Sequence, residues 1–175
     1  MGHDNSAETW TLADGEKLTL RHIAPIDAAR EQAFVHGLST QSSYLRFHGT
    51  LKDLSKKDLK KFTEPDPLNA VALIVVRSGE TGEEEIGVAR YVIDPDGVNC
   101  EFAIVVADAW QKRGIGSRLM KVLIKHLQGS GVKRISGSVL KSNSAMLKFI
   151  KQMGFAETNS PDDPSTVLVT KHMMD

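Results

Sequence analysis

Apolar and polar positions along this chain alternate between a period of two and a helical period, which predicts strands and helices layered in an α/β arrangement. Lys17 to His22 reads as a first strand. Asp27 is placed to cap a helix ending near Gly37, and Ser42 to cap a short second one. Ser55-Lys56-Lys57-Asp58 opens a basic helix that turns Leu54, Leu59 and Phe62 inward, and Pro65 and Pro67 stop it. Three apolar runs follow, near residues 70–77, 85–93 and 98–106. Gly79 to Gly82 and Asp94-Pro95-Asp96-Gly97 are turn chemistry, so these runs are expected to form an antiparallel meander.

The second half continues the alternation. A helix carries Ile115, Leu119, Val122, Leu123 and Leu127 on one face and ends at Gly129 to Gly131. Lys133 to Leu140 is a strand that contains Gly137, and Asn143 to Met153 is a helix expected to bury Ala145, Met146, Phe149, Ile150 and Met153. A last strand lies near 166–172. No internal repeat, linker or low-complexity segment interrupts the pattern. The expectation is one domain over 1–175, with a polar N-terminal tail over about 1–8.

The junction between the third apolar run and the next helix carries the chemistry. Ala103 to Val106 gives way to a short polar turn and then to Gln111-Lys112-Arg113-Gly114-Ile115-Gly116, where the long helix begins. Glycines at a helix start let successive backbone N–H groups converge on one point, with the positive end of the helix dipole behind them. Lys112, Arg113 and Arg118 add positive charge around that point. The P-loop is excluded because Gly-Lys-Ser/Thr is absent, and the dinucleotide fingerprint needs a third glycine. A phosphate-bearing ligand and a merely tight strand-to-helix turn both remain open on this segment alone.

Gln-x-x-Gly-x-Gly after an apolar strand resembles the acetyl-CoA pyrophosphate motif of the GNAT N-acetyltransferase superfamily. The longer string Cys100-Glu101-Phe102-Ala103-Ile104-Val105-Val106-Ala107-Asp108-Ala109-Trp110-Gln111 resembles the catalytic domain of bacterial Pat-type protein lysine acetyltransferases. So do Leu20-Arg21-His22-Ile23-Ala24-Pro25-Ile26-Asp27, the stretch from Leu38-Ser39 through Tyr44-Leu45-Arg46-Phe47, and Asn143-Ser144-Ala145-Met146 followed by Met153-Gly154-Phe155. The similarity covers roughly residues 12 to 172.

The resemblance implies a mixed, mostly antiparallel twisted sheet with helices on both faces, and it implies that strands 98–106 and 133–140 splay apart. Acetyl-CoA is the implied cosubstrate, and a primary amine, possibly a protein lysine, the implied acceptor. The pantetheine arm can then add to the freed strand edge through main-chain groups at Val106 and Ile104. The pyrophosphate is implied to lie on Gln111, Lys112, Arg113, Gly114, Ile115, Gly116, Ser117 and Arg118. Asn143 matches a position that contacts the cofactor in relatives, although Asn is a preferred cap in any helix. Tyr44, Arg46 and Phe47 fall on the segment that roofs the acceptor side, where inward packing explains them equally well. Pat-type enzymes often carry a further regulatory domain, for which this chain has no residues left over.

Amine acylation needs a proton acceptor, since a lysine amine with a pKa near about 10.4 is almost wholly protonated at neutral pH. The resemblance places that base at Glu101, whose pKa is expected to rise through burial in the cleft. A main-chain N–H at Val105 or Val106 is expected to polarise the thioester carbonyl. Many relatives carry a tyrosine as general acid seven residues after the asparagine; Ile150 stands there, and the Pat-like subgroup also tends to lack the tyrosine. A coenzyme A thiolate is a good enough leaving group to do without one. Cys100 alternates to the other face of the strand and reads as core.

Composition narrows the classes that remain. A chain of 175 residues with 41% hydrophobic content can fill one core. Lys plus Arg and Asp plus Glu balance at 22 each, so no net field draws it to nucleic acid or a membrane. A single cysteine excludes an internal disulfide framework and fits a reducing, cytoplasmic setting. The longest apolar runs are too short to span a bilayer, and the polar start lacks a secretory core. Met1 to Ser6 fits the permissive myristoylation pattern with no polybasic patch after it. The histidines show no metal-ligand spacing, so no metal is expected. A monomer or homodimer, a small-amine acetyltransferase and a non-catalytic acyl-CoA sensor all stay compatible with these residues.

Overall fold

The computed structural model of the chain describes residues 7–38, 55–80, 82–161 and 163–173. The described residues form one eight-stranded sheet: β1 Glu8–Thr11, β2 Lys17–His22, β3 Ala70–Gly79, β4 Gly82–Ile93, β5 Asn99–Val106, β6 Arg134–Leu140, β7 Ala156–Asn159 and β8 Thr166–His172. They lie in the spatial order β1-β2-β3-β4-β5-β6-β8-β7. Every neighbouring pair is antiparallel except β5 with β6. Among the described residues four α-helices cover the two faces: α1 Ala28–Gly37, α2 Lys56–Thr63, α3 Ile115–Leu127 and α4 Ser144–Gln152. The expected mixed, mostly antiparallel sheet with helices on both sides is what forms.

The faces are segregated by strand alternation. Leu18, Leu20, Leu73, Val75, Ala89 and Phe102 point to the side covered by α3 and α4, where Ile115, Leu119, Met120, Leu123, Leu127 and Ile150 are buried. Ala72, Ile74, Val76, Val88 and Val105 point to the other side, against Phe34 and Val35 of α1 and Leu59 and Phe62 of α2. Each fully buried Leu or Ile contributes roughly 1.5–3 kcal/mol, so the heptad-like stripe of α3 is the firmest attachment on its face. The register slips between Val75 and Val76, where Ile86 and Gly87 of β4 stand opposite one step of β3. A Cβ on Gly87 would meet Leu119 at 3.3 Å and Ile115 at 3.4 Å, so glycine lets α3 sit close on the sheet.

The expected splay is present. β5 and β6 pair only at Asn99 with Arg134, Cys100 with Ile135 and Glu101 with Ser136; beyond that the ladder ends. The Phe102 ring fills the wedge, 5.4 Å from the Phe155 ring, and takes the space a side chain at position 137 would need. A Cβ on Gly137 would lie 2.7 Å from the edge of that ring.

Other elements depart from expectation in detail. Glu8–Thr11, assigned in part to a polar tail, is an edge strand, and Ala156–Asn159 is a strand that its fully exposed polar residues concealed. Asp27 does precede α1, but its side chain does not cap it. The buried carboxylate instead accepts from Arg21 at 2.7 and 2.8 Å, from Arg30 at 3.0 Å and from the Ala24 N–H at 2.8 Å. Ser55 caps α2 as expected, accepting from the Asp58 N–H at 3.1 Å. In α4 only Ile150 is fully buried: Ala145 is exposed, and Met146, Phe149 and Met153 are half-buried, packed on the edge of the core, with Met146 and Phe149 also lining a cleft. The helix expected after Ser42, Leu54, and the aromatic residues Tyr44 and Phe47 with Arg46 lie outside the described residues.

Replacing Gly137 with Ala must push Phe102 off its rotamer. Overpacking of this kind costs about 1–3 kcal/mol, so G137A is expected to lower the thermal midpoint by several degrees. Adding Phe102→Leu should recover part of that loss in a calorimetric scan; full stability of G137A alone would show that the wedge is not rigid.

Candidate active site

The opened edge of β5 and the start of α3 face one another. Ala107 donates its N–H to the Ile86 carbonyl at 2.8 Å, which makes Val106 and Gly87 a non-hydrogen-bonded pair and Val105 and Val88 the bonded one. Main-chain groups of Val105 are therefore committed to β4, whereas those of Ile104 and Val106 turn toward the gap. Of the two N–H groups expected to polarise a carbonyl, the geometry leaves Val106. Its carbonyl accepts from Gln111 Nε2 at 3.0 Å, so Gln111 acts as a brace between strand and loop rather than as a free donor.

The loop itself is conformationally demanding. Lys112 adopts φ 63° and Gly114 φ 82°, the left-handed region that only glycine enters without strain. No atom lies within 4 Å of a Cβ built on Gly114, so backbone conformation rather than crowding by the protein requires glycine there. Gly114 precedes α3, whose first bond runs from the Arg118 N–H to the Gly114 carbonyl at 3.1 Å. The N–H groups of Ile115, Gly116 and Ser117 thus have no helical partner and sit at the positive end of the helix dipole. A cavity of about 220 Å³ adjoins them, lined by Ile104, Val105, Val106, Gln111, Lys112, Gly114, Ile115, Gly116, Ser117 and Asn143 together with Trp110, Ala145, Met146 and Phe149. These features fit a phosphorylated carrier laid along a strand edge: donors for the phosphates, main-chain partners for amides, apolar walls between.

Arg113 and Arg118 do not line this cavity. Arg113 pairs with Asp14 at 3.0 Å and lies 4.8 Å over the Trp110 ring, which Arg77 approaches to 5.4 Å. Arg118 lies 4.1 Å over Trp10 and 3.6 Å from Glu8. Both cations border the loop and are held in part by the β1–β2 hairpin; its partners Glu8, Trp10 and Asp14 carry no signal in the sequence, where the hairpin reads as tail and turn.

A second cavity, of about 270 Å³, reaches the gap from the side of α2. Glu101, Ala103, Lys61, Phe62, Arg90 and Ser138 border it, with Tyr91, Val92, Phe102 and Val139, and it shares Ile104, Asn143 and Met146 with the first. Glu101 is exposed at its mouth, so the burial expected of it is not supplied: the strand leaves the ladder at Glu101, and its side chain faces the open side. Asn143 caps α4, its Oδ1 accepting from the Met146 N–H at 3.1 Å; the amide nitrogen stays available at the shared boundary. Cys100 is buried in the core as expected, and burial pushes its thiol up to about 12, helped by the charges of Asp94 and Glu101. It is no nucleophile. Ile150 is likewise fully buried and contributes only packing.

Arg90 is a wall residue that the sequence signalled only as one cation inside an apolar strand. Its guanidinium donates to the Phe62 carbonyl and, at 3.0 Å, to Glu31, and it lies 4.6 Å over the Phe62 ring. This bolts α2 and α1 to β4 behind the second cavity. Glu85 is buried beside them, and burial followed by the neighbouring Glu31 charge holds its carboxyl well above the usual range. A protonated Glu85 can donate to Glu31 Oε2, which has no other donor.

A mixed sheet whose parallel pair opens beside a helix start is an acyltransferase architecture. The sequence profile of the acetyltransferase (GNAT) family matches residues 30–155, and the chain belongs to that family as an N-acetyltransferase. It is 27% identical over 158 residues to a Pseudomonas aeruginosa acetyltransferase, covering 90% of this chain and 85% of the relative. The acetyltransferase Pat of Mycolicibacterium smegmatis is 32% identical over 141 residues, which is 80% of this chain but 41% of that protein. The crystal structure of the GNAT domain of S. lividans PAT superposes with a TM-score of 0.83 at 27% identity, covering 99% of this chain and 100% of that one. The Pat-type resemblance is thus supported in sequence and in structure.

Two outcomes follow from this geometry. Gly114→Ala forces a Cβ into a left-handed conformation at a cost of about 1–2 kcal/mol, so the loop should reorganise. Calorimetric affinity for coenzyme A is expected to fall at least tenfold while far-ultraviolet circular dichroism is unchanged; retained affinity would remove the loop from binding. Glu85 binds its proton more tightly folded than unfolded, so its contribution to stability declines as pH rises above the free glutamate value, by up to about 1.4 kcal/mol per pH unit. Glu85→Gln should flatten that decline and be at least as stable as the parent at pH 7 in urea titrations.

Proposed function

We propose that this chain transfers the acetyl group of acetyl-CoA to the ε-amine of a protein lysine, in a ternary complex without an acyl-enzyme intermediate. The observation that carries the reading is the pair of cavities that enter one gap in the sheet from opposite faces and share Ile104, Asn143 and Met146. One has the phosphate-type donors and the strand edge; the other has the carboxylate. A carrier held on the first side presents its thioester where an amine from the second can reach it, which is the proximity that lowers the barrier most. The amine nitrogen forms a bond to the carbonyl carbon, the carbon–sulfur bond breaks, the thiolate leaves, and the amine proton passes to Glu101 directly or through one water. The Val106 N–H faces the gap where the carbonyl oxygen develops charge.

Protein lysine is favoured as acceptor by the Pat-type matches around Glu101, Asn143 and the N-terminal half. An exposed Glu101 also suits an acceptor that covers the cavity mouth itself and so dries the carboxylate on docking. A small amine is the second reading, since a cavity of about 270 Å³ is near the size of small-ligand sites. Use of acetyl-CoA and a reduced lone cysteine suit a cytoplasmic setting.

The test is thiol release from acetyl-CoA with acyl-CoA synthetases and other folded proteins, polyamines and amino acids as acceptors. Turnover confined to proteins, with acetyl-lysine found by mass spectrometry, supports the reading; turnover confined to free amines overturns its acceptor. Glu101→Gln should leave coenzyme A affinity within about twofold and lower kcat by about 10²-fold, with the deficit shrinking as pH rises. Near-full turnover of E101Q at neutral pH on the true acceptor would show that Glu101 is not the base.

A further inference from the structure

We infer that Ile104 and Met146 form an acyl-length gate that admits an acetyl group and discriminates against longer chains. The inference rests on the reading above and deepens it, since nothing in the comparisons assigns acyl preference. Its origin is topological. The thioester carbon must lie where the carrier side and the amine side meet, so residues lining both cavities flank the group bonded to it. Among the described residues three line both: Ile104, Asn143 and Met146. Asn143 has its Oδ1 engaged as the cap of α4, which leaves the two apolar side chains to flank the acyl group.

Their setting makes them restrictive rather than open. Both are half-buried and packed against the main core, so neither swings freely into solvent. Met146 is held at its backbone by the Asn143 cap at 3.1 Å. Ile104 projects toward the start of α3, its Cδ1 lying 4.0 Å from where a Cβ on Gly116 would stand. A methyl group adds little to this junction. Each further methylene must either displace the Met146 thioether or run on into the second cavity, where the amine has to approach. Met is the more adaptable of the two, so the penalty should grow with chain length rather than appear as a sharp cutoff. Discrimination of about 10- to 200-fold per methylene is the scale apolar pockets reach.

The experiment measures binding of coenzyme A, acetyl-CoA, propionyl-CoA and butyryl-CoA to the full chain by calorimetry, with no acceptor needed. The parent protein is expected to bind butyryl-CoA at least tenfold more weakly than acetyl-CoA, with propionyl-CoA between. Met146→Ala should raise the butyryl-to-acetyl affinity ratio at least tenfold, each affinity being read against that variant's own affinity for coenzyme A, and Met146→Leu should keep the parent ratio. Ile104→Val tests the other side of the gate independently, with a smaller rise of about threefold, and serves if M146A fails to fold. Coenzyme A bound normally with a ratio unmoved in both variants overturns the gate and leaves the acetyltransferase reading standing. No binding of any of the four ligands overturns both.

Discussion

The opening between β5 and β6 is the constraint on which the site depends. A parallel pair with a complete ladder would hydrogen-bond the main chain of Ile104 and Val106 to β6 and leave no edge for a ligand. Here the ladder ends at Glu101 and Ser136, and just beyond that end the Phe102 ring lies against Gly137, where a Cβ would not fit. Phe102 is itself anchored on Phe155, which follows α4, so the helix that walls the opening and the ring at its end are fixed together.

A passage through a sheet has a consequence for electrostatics. The helix-dipole end and the free N–H groups of α3 lie toward one face, while Glu101, Lys61 and Arg90 border the cavity on the other. An anionic carrier is drawn to the α3 side by the helix-dipole end and its free N–H groups, whereas on the other side the Glu101 carboxylate stands among cations and gives no net pull on a cationic amine. Arg113 and Arg118 border the α3 side at its margin: Arg118 is held by Trp10 and Glu8 of the β1–β2 hairpin, and Arg113 by Asp14 of the hairpin and by Trp110 of the loop itself. Exposed pairs of that kind add little stability. Their physical effect is to orient long side chains at the mouth of the loop, which an isolated surface arginine lacks.

Much of this was legible in the residues, and the limits are specific. β2 through β6 and all four helices were visible because long apolar runs and capped, periodic helices state their own period. The glycine loop was visible because Gly114 must take a positive φ and the following helix is strongly amphipathic. β1 and β7 were not, since edge strands need no regular apolar alternation: in β1 only Trp10 is half-buried, and β7 is exposed throughout. Asp27 was placed correctly at the head of α1 but given the wrong partners: a cap is a local bond, whereas Arg21, Arg30 and the Ala24 N–H come together only through tertiary packing. The same holds for Met146 and Phe149, whose helical spacing says which face they share but not whether that face meets a core or a cleft.

Arg90 shows why the acceptor side was the least legible. A lone arginine in an apolar strand is costly to bury, and the structure engages its two terminal nitrogens and its face with one carboxylate, one carbonyl and one aromatic ring drawn from two different helices, while its Nε has no hydrogen-bond partner among the described residues. Burial and the neighbouring Glu31 charge hold the Glu85 carboxyl well above the usual range. Behind the Arg90 wall of the second cavity there is therefore a three-residue polar cluster of Arg90, Glu31 and Glu85. Such a cluster is weaker as a source of stability than an apolar core of the same volume, but it is direction-specific: α2 can dock only where its Phe62 carbonyl meets Arg90. Sliding α2 by one turn would leave a buried guanidinium without its carbonyl, so the position of the acceptor wall is set by hydrogen-bond geometry, while the carrier side is set by backbone conformation.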